Sequence, residues 1–384
     1  MALHLFPDDD DPKVTLRYAT SILLKAVKVY ISTTLRVDTS DAIGQNIWLG
    51  EYYLQHHCQR NQKKLLKTVQ EQIDTSTTYD EYTSYWNFRF QESLLKKNKS
   101  KRKPQEALQT SLANLENFYL ENKLRLFVES LNRNRITGGD LPISMISEIE
   151  EDLNQIRKPT TVGITIYHLL YRMFTEISSE PFFYEVDLHI KELKGVLSPS
   201  YLRAVYEYLM NQCIHYLNQG QEEFIPYYLG YIQVFIENRW FEREESISPQ
   251  KMLNIVTLGV RANQISWTES FVKQFIKSLP KDIQPSFVGL KTAMIYFSQK
   301  RFSESLKALN VPDFKDQFFR ICVEKLLIKI YFEQGDYEGL QSRADSFRAY
   351  IRRENKLDAR KRQALLTFIT QALAIFKYQG FDSV

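Results

Sequence analysis

Apolar residues recur along this chain with the period of the α-helix. Val14, Leu16, Tyr18, Ile22, Leu23, Ala26, Val27 and Tyr30 fall close to the i, i+3, i+4, i+7 spacing, which gathers them on one side of a helix. Tyr201, Leu202, Val205, Tyr206, Leu209, Cys213, Tyr216 and Leu217 repeat the pattern. The best strand-like alternation is Val162-Gly163-Ile164-Thr165-Ile166, and its continuation through Tyr167, Leu169 and Leu170 makes a buried helix the better reading. Punctuation agrees. Ser198-Pro199 and Ser248-Pro249 each set a capping hydroxyl before a proline at the first helical position, and Pro104 opens another helix. Asn218-Gln219-Gly220, Gly335-Asp336 and Thr137-Gly138-Gly139-Asp140 read as breaks. The pattern predicts roughly sixteen to eighteen helices on short joints, a hairpin arrangement throughout.

The chain also repeats itself. Trp267, Phe302 and Tyr337 lie 35 residues apart, and Ile295-Tyr296-Phe297 matches Ile330-Tyr331-Phe332 at the same offset. An aromatic at the start of each second helix would plug its hairpin, with the preceding Tyr-Phe closing the first helix against it. Lys329–Glu338 resembles the turn of a tetratricopeptide repeat, and Tyr296–Leu309 is similar to a second copy, over residues 250–355. Ala293, Ser270 and Ser305 suit the small positions of such a repeat, whereas Leu258, Ile328 and Leu340 are large. The segment Phe118–Arg135, like Leu5-Phe6-Pro7-Asp8-Asp9, resembles an uncharacterised family of all-helical, tetratricopeptide-like bacterial proteins. The resemblance implies an all-α, right-handed solenoid of helix hairpins, and it brings no activity with it. It also implies that Lys325 and Lys329, four residues apart, face a concave groove with Phe332, where they could clamp a carboxylate or an acidic peptide.

Composition supports this reading. A 43% hydrophobic fraction excludes wholesale disorder, and 13 Gly with 12 Pro are too few for a turn-rich β or α/β domain. The net charge of +4 does not by itself imply a polyanionic partner. Its distribution is uneven: residues 271–384 hold 20 Lys+Arg against 12 Asp+Glu. Cys58, Cys213 and Cys322 are sparse and odd in number, which fits a reducing compartment. Met1–Asp11 runs into four aspartates without an apolar stretch, so no signal peptide is expected, and no run is long enough for a membrane span. The expected location is cytoplasmic.

Candidate chemistry is thin. His56-His57-Cys58 is the only close cluster of metal-ligand types, and adjacent helical residues point about 100° apart, which disfavours a shared ion. Neither a phosphate-binding glycine loop nor a nucleophile elbow occurs. Lys96, Lys97, Lys99, Lys101, Arg102 and Lys103 could meet phosphate, although a solvated loop explains them as simply. The run from Arg343 to Arg362, with Arg348, Arg352 and Arg353, could dock an acidic partner or merely offset a helix dipole.

These readings divide the chain into N-terminal hairpins (1–95), a basic linker (96–103), middle hairpins (104–198) and tetratricopeptide-like repeats with a terminal helix (199–384). The terminal segment is apolar around much of its circumference, so it is expected to tuck into the array or under a partner. The expected function is a non-catalytic scaffold, without metal or cofactor, that binds a protein or peptide in its groove. The alternatives are a nucleic-acid-binding solenoid using 96–103 and 343–362, and a metal-dependent enzyme around 56–58.

Overall fold

The computed structural model describes residues 5–6, 11–34, 39–55, 59–76, 78–80, 82–97, 104–137, 143–155, 161–242, 247–310, 316–355 and 357–378. Within them the chain is all-α, with seventeen α-helices and two short 3-10 turns. The contacts separate two compact units, residues 1–205 and 206–384.

The first unit holds α1 (Pro12–Thr34), α2 (Thr39–Gln55), α3 (Gln59–Thr75), α4 (Thr83–Lys97), α5 (Pro104–Thr137), α6 (Ile143–Gln155), α7 (Val162–Thr175) and α8 (Glu180–Glu192), and the start of α9 (Pro199–Asn218). Helices α2 to α4 share a core of Ile47, Leu66, Val69, Trp86 and Phe90. A Cβ at Gly44 would run into the Trp86 indole, so the bare backbone there is what lets α2 approach α4. Helix α5 packs on α4 and on α7 and buries Leu120, Leu124, Phe127 and Val128. The Val162–Ile166 alternation is helical: the Thr161 hydroxyl caps α7 by accepting the Ile164 N–H at 3.2 Å. Between α3 and α4 the chain pairs once with the turn before α9, where Ser198 N–H donates to the Tyr79 carbonyl at 2.8 Å. Of the expected linker, Lys96 and Lys97 end α4 and residues 98–103 lie outside the described residues; α4 and α5 pack against each other within the first unit.

The second unit continues through α10 (Ile225–Glu237), α11 (Pro249–Arg261), α12 (Ile265–Phe275), α13 (Gln284–Ser298), α14 (Phe302–Ala308), α15 (Gln317–Glu333), α16 (Tyr337–Arg353) and α17 (Ala359–Tyr378). Helix α11 packs on α12 and α13, α13 on α14 and α15, and α15 on α16 and α17. The turns after α9, α10, α11, α13 and α15 are built alike. Their left-handed residues are Gly220, Arg239, Asn263, Lys300 and Gly335. In each, the next N–H reaches back five residues, from Gln221 to Tyr216, Trp240 to Phe235, Gln264 to Gly259, Arg301 to Tyr296 and Asp336 to Tyr331, at 2.8–3.1 Å. Such a turn satisfies carbonyls that a helix end leaves orphaned, and it reverses the chain in a few residues.

These turns correct the repeat register. Aligned on them, Phe302 matches Tyr337 as expected, but its upstream counterpart is Ile265 rather than Trp267. The small position of the α11–α12 hairpin is therefore Thr268, fully buried beside Gly259, and Ser270 is exposed. The stretch between the turns after α11 and α13 is two residues longer than 35, an insertion that a fixed-period comparison cannot register. Ser305 does sit at the packing position and donates to the Ala293 carbonyl at 2.7 Å. The terminal helix α17 tucks in as anticipated on one side: Ile369, Leu373 and Phe376 are buried against Leu340, Ala344, Phe347 and Ile351.

Candidate functional site

Helix α15 presents Lys325 and Lys329 one turn apart. Lys325 is half-buried, and its ammonium lies 5.5 Å from the Phe368 ring of α17, a cation–π contact. Lys329 keeps accessible surface but forms no ion pair among the described residues. Desolvation, then the nearby Lys325 and then Arg261 at the end of α11, hold its pKa below the ordinary lysine value. Lys325 and Arg261 thus lie near enough to Lys329 to disfavour its charge, and among the described residues Arg261 has an anion within reach, Glu222 at 2.5 Å. Phe332 is half-buried and packs edge-on against Phe376 at 5.6 Å, so its ring serves the α15–α17 contact. Cys322, on the same helix, is held as a thiol, burial raising its pKa to about 11.

The C-terminal basic face is largely engaged. Arg343 pairs with the buried Glu324 through Nε–Oε2 at 2.7 Å and Nη2–Oε1 at 2.8 Å. Arg348 pairs with Asp345 at 3.1 Å, and Arg353 donates to the Ala349 carbonyl at 3.2 Å. Arg352 and Arg353 fill the last turn of α16, where cations offset the helix dipole. Lys99, Lys101, Arg102, Lys103, the side chains of Lys96 and Lys97, and His56-His57-Cys58 lie outside the described residues. Among the described residues no three His, Cys, Asp or Glu side chains are grouped to hold a metal ion, and no helix is long and apolar enough to cross a membrane.

Sequence reasoning missed a buried polar centre in the first unit. Glu121, on the inner face of α5, is 2% exposed. Its Oε2 accepts from the Tyr79 hydroxyl at 2.6 Å and the Ser84 hydroxyl at 2.7 Å, while Oε1 has no partner. Oε1 points at Gly163 in the first turn of α7, where any Cβ would collide with it. Burial pushes the carboxyl pKa up against the two hydroxyl bonds that lower it. Tyr79 and Tyr201 are held neutral in the same way, chiefly by burial, and their rings meet edge-on at 5.9 Å. The signal for this centre was available, since Glu121 interrupts an apolar face between Leu120 and Leu124. Beside it lies a cavity of about 170 Å³ bordered by Ile43, Ile73, Tyr79, Asp80, Thr83 and Trp86. Asp80 is committed to capping α4, accepting from the Tyr82 N–H at 2.9 Å and the Thr83 hydroxyl at 3.0 Å. The centre links α4, α5 and α7, and its geometry is that of a structural hub. Comparison of the chain with protein families, with curated proteins and with solved structures finds no match.

Proposed function

We propose that the chain is a non-catalytic binding protein whose second unit is a tetratricopeptide-like, right-handed stack of hairpins. The face carrying Lys325, Lys329 and Arg261 receives an acidic peptide or a partner's carboxylate. The stack is supported by the recurring turn after α9, α10, α11, α13 and α15, by the way α11 and α13 each pack on the next hairpin's first helix, and by the packing of α15 on the terminal helix α17. The carrying observation for the site is Lys329, crowded by like charge and without an anion. An incoming carboxylate would relieve that repulsion and form charge-assisted hydrogen bonds.

The test is fluorescence anisotropy with labelled peptides ending in acidic residues, alongside a single-stranded oligonucleotide of equal charge. Lys329→Ala is expected to weaken peptide binding roughly tenfold to a hundredfold, the loss of one charged hydrogen bond at about 1.5–3 kcal/mol. Oligonucleotide binding that survives Lys325→Ala and Lys329→Ala, with no peptide binding, would replace this reading with nucleic-acid recognition.

A further inference from the structure

Within the first unit, the start of α4 and the middle of α5 border a cleft of about 330 Å³ lined by Tyr82, Tyr85, Phe118, Asn122 and Arg125. Phe118, Asn122 and Arg125 follow at steps of four and three residues, which stacks them on one side of α5. The Tyr85 and Phe118 rings lie 5.2 Å apart with their planes 50° from parallel, and Tyr82 beside them is 52% exposed. Asn122 is fixed by donating from Nδ2 to the Phe118 carbonyl at 2.9 Å. Arg125 is the one charged side chain of this lining, and it is half-buried. Its Nε is shielded from solvent without a hydrogen-bond partner, and its Nη2 makes one long bond, to the Asn122 amide oxygen at 3.4 Å. The acids one turn to either side are engaged elsewhere. Glu121 accepts from Tyr79 and Ser84 and acts on Arg125 through space alone, while Glu129 accepts from Arg133. A guanidinium stays charged at every physiological pH, so its partial desolvation calls for an anion, and no described residue pairs with it.

We infer that this cleft binds an aromatic carboxylate, its anion on the Arg125 guanidinium and its ring against Tyr82, Tyr85 and Phe118. Each part of the ligand answers to one part of the lining. The planar fork of a guanidinium matches the two oxygens of a carboxylate. One cation with no acid in the lining offsets a monoanion, whereas a phosphate monoester would bring a second negative charge with nothing to meet it. The walls are three aromatic rings without an aliphatic side chain, and their faces and edges suit a flat ring. The volume stands at the lower end of small-molecule sites, which fits a single or fused ring rather than a longer ligand. This site lies in the first unit and is separate from the acidic-peptide face of the second.

Isothermal titration calorimetry of the full chain with 2-naphthoate tests the inference, with 2-naphthalenemethanol as the uncharged counterpart. The expected result is a single site with a dissociation constant below about 1 mM for the acid and binding of the alcohol weaker by about tenfold or more. Arg125→Gln, with helicity unchanged by circular dichroism, is expected to weaken the acid by about tenfold or more. Tyr82→Ala, at an exposed position, is expected to weaken it by about threefold. Should Arg125→Gln fail to fold, the acid and the alcohol compared on the unaltered chain still decide the case. The tripeptide Ala-Ala-Phe separates two sources of the same chemistry. If it binds more tightly than 2-naphthoate, the carboxylate is the end of a partner chain; if more weakly, it belongs to a small acid, and either order supports the site. Three results overturn the inference. They are no binding of 2-naphthoate or the tripeptide up to about 5 mM, equal binding of acid and alcohol, and binding that survives Arg125→Gln but is lost in Lys329→Ala. The last would put the acid on the second unit.

Discussion

At the scale of single residues, Glu121 has the clearest consequence for stability. Its carboxyl binds a proton more tightly in the folded chain than in the unfolded one, where the usual value is about 4.3. Stability from this group is therefore fully present below the unfolded pKa and is lost as pH rises through the raised folded value. Glu121→Gln keeps an acceptor for Tyr79 and Ser84 but removes the charge. Thermal melts of the two proteins should diverge in favour of Gln as pH rises from about 4.5 to 8. Parallel curves would mean that the buried carboxylate is compensated by something other than its two hydroxyl donors. Gly163→Ala should destabilise by about 2 kcal/mol or more, because the added methyl must displace Glu121 or Tyr79. Neither effect was legible in the local sequence. An acid on an apolar face can be seen there, but the tyrosine 42 residues away that meets it cannot.

The elements were more legible, and their joints less so. Helix starts at Pro199 and Pro249 follow from Ser-Pro, because a proline pre-sets the first helical residue and loses no hydrogen bond there. Of the five recurring turns, glycine announces only those at Gly220 and Gly335. Arg239, Asn263 and Lys300 adopt the same left-handed conformation with side chains that are strained there. Lys300→Gly should accordingly raise stability by about 1 kcal/mol, and Gly335→Ala should lower it by a similar amount, both read from denaturant midpoints. The unannounced turn at Asn263 is also why the repeat looked regular from Trp267 onward when it is not. Helix α17 contributes packing of its own: Phe376 is fully buried and touches both Phe332 and Tyr337. Phe376→Ala should cost about 3–5 kcal/mol, and calorimetry would measure it.

For the whole molecule, charge is the property that composition states and structure redistributes. The excess of cations in residues 271–384 looks like a docking face when read along the chain. In the folded unit Arg343 and Arg348 are spent on Glu324 and Asp345, while Lys325 rests on the Phe368 ring and neither it nor Lys329 forms an ion pair among the described residues. If that pair holds an acidic peptide, raising ionic strength from about 0.1 M to about 1 M, which shortens the Debye length from about 10 Å to about 3 Å, should weaken binding severalfold. Helicity should not change over the same range. Binding indifferent to salt would point to an apolar contact instead.

The sequence by itself determined the all-α class and the helix starts marked by Ser-Pro and Pro, because periodicity, capping and proline geometry act over a few neighbouring residues. Only the tertiary structure decided that Glu121 meets Tyr79 and Ser84, that Arg343 is spoken for while Lys329 is not, and that the equivalent of Phe302 is Ile265. Each of these depends on which distant segments come into contact, and on insertions whose length no local rule limits.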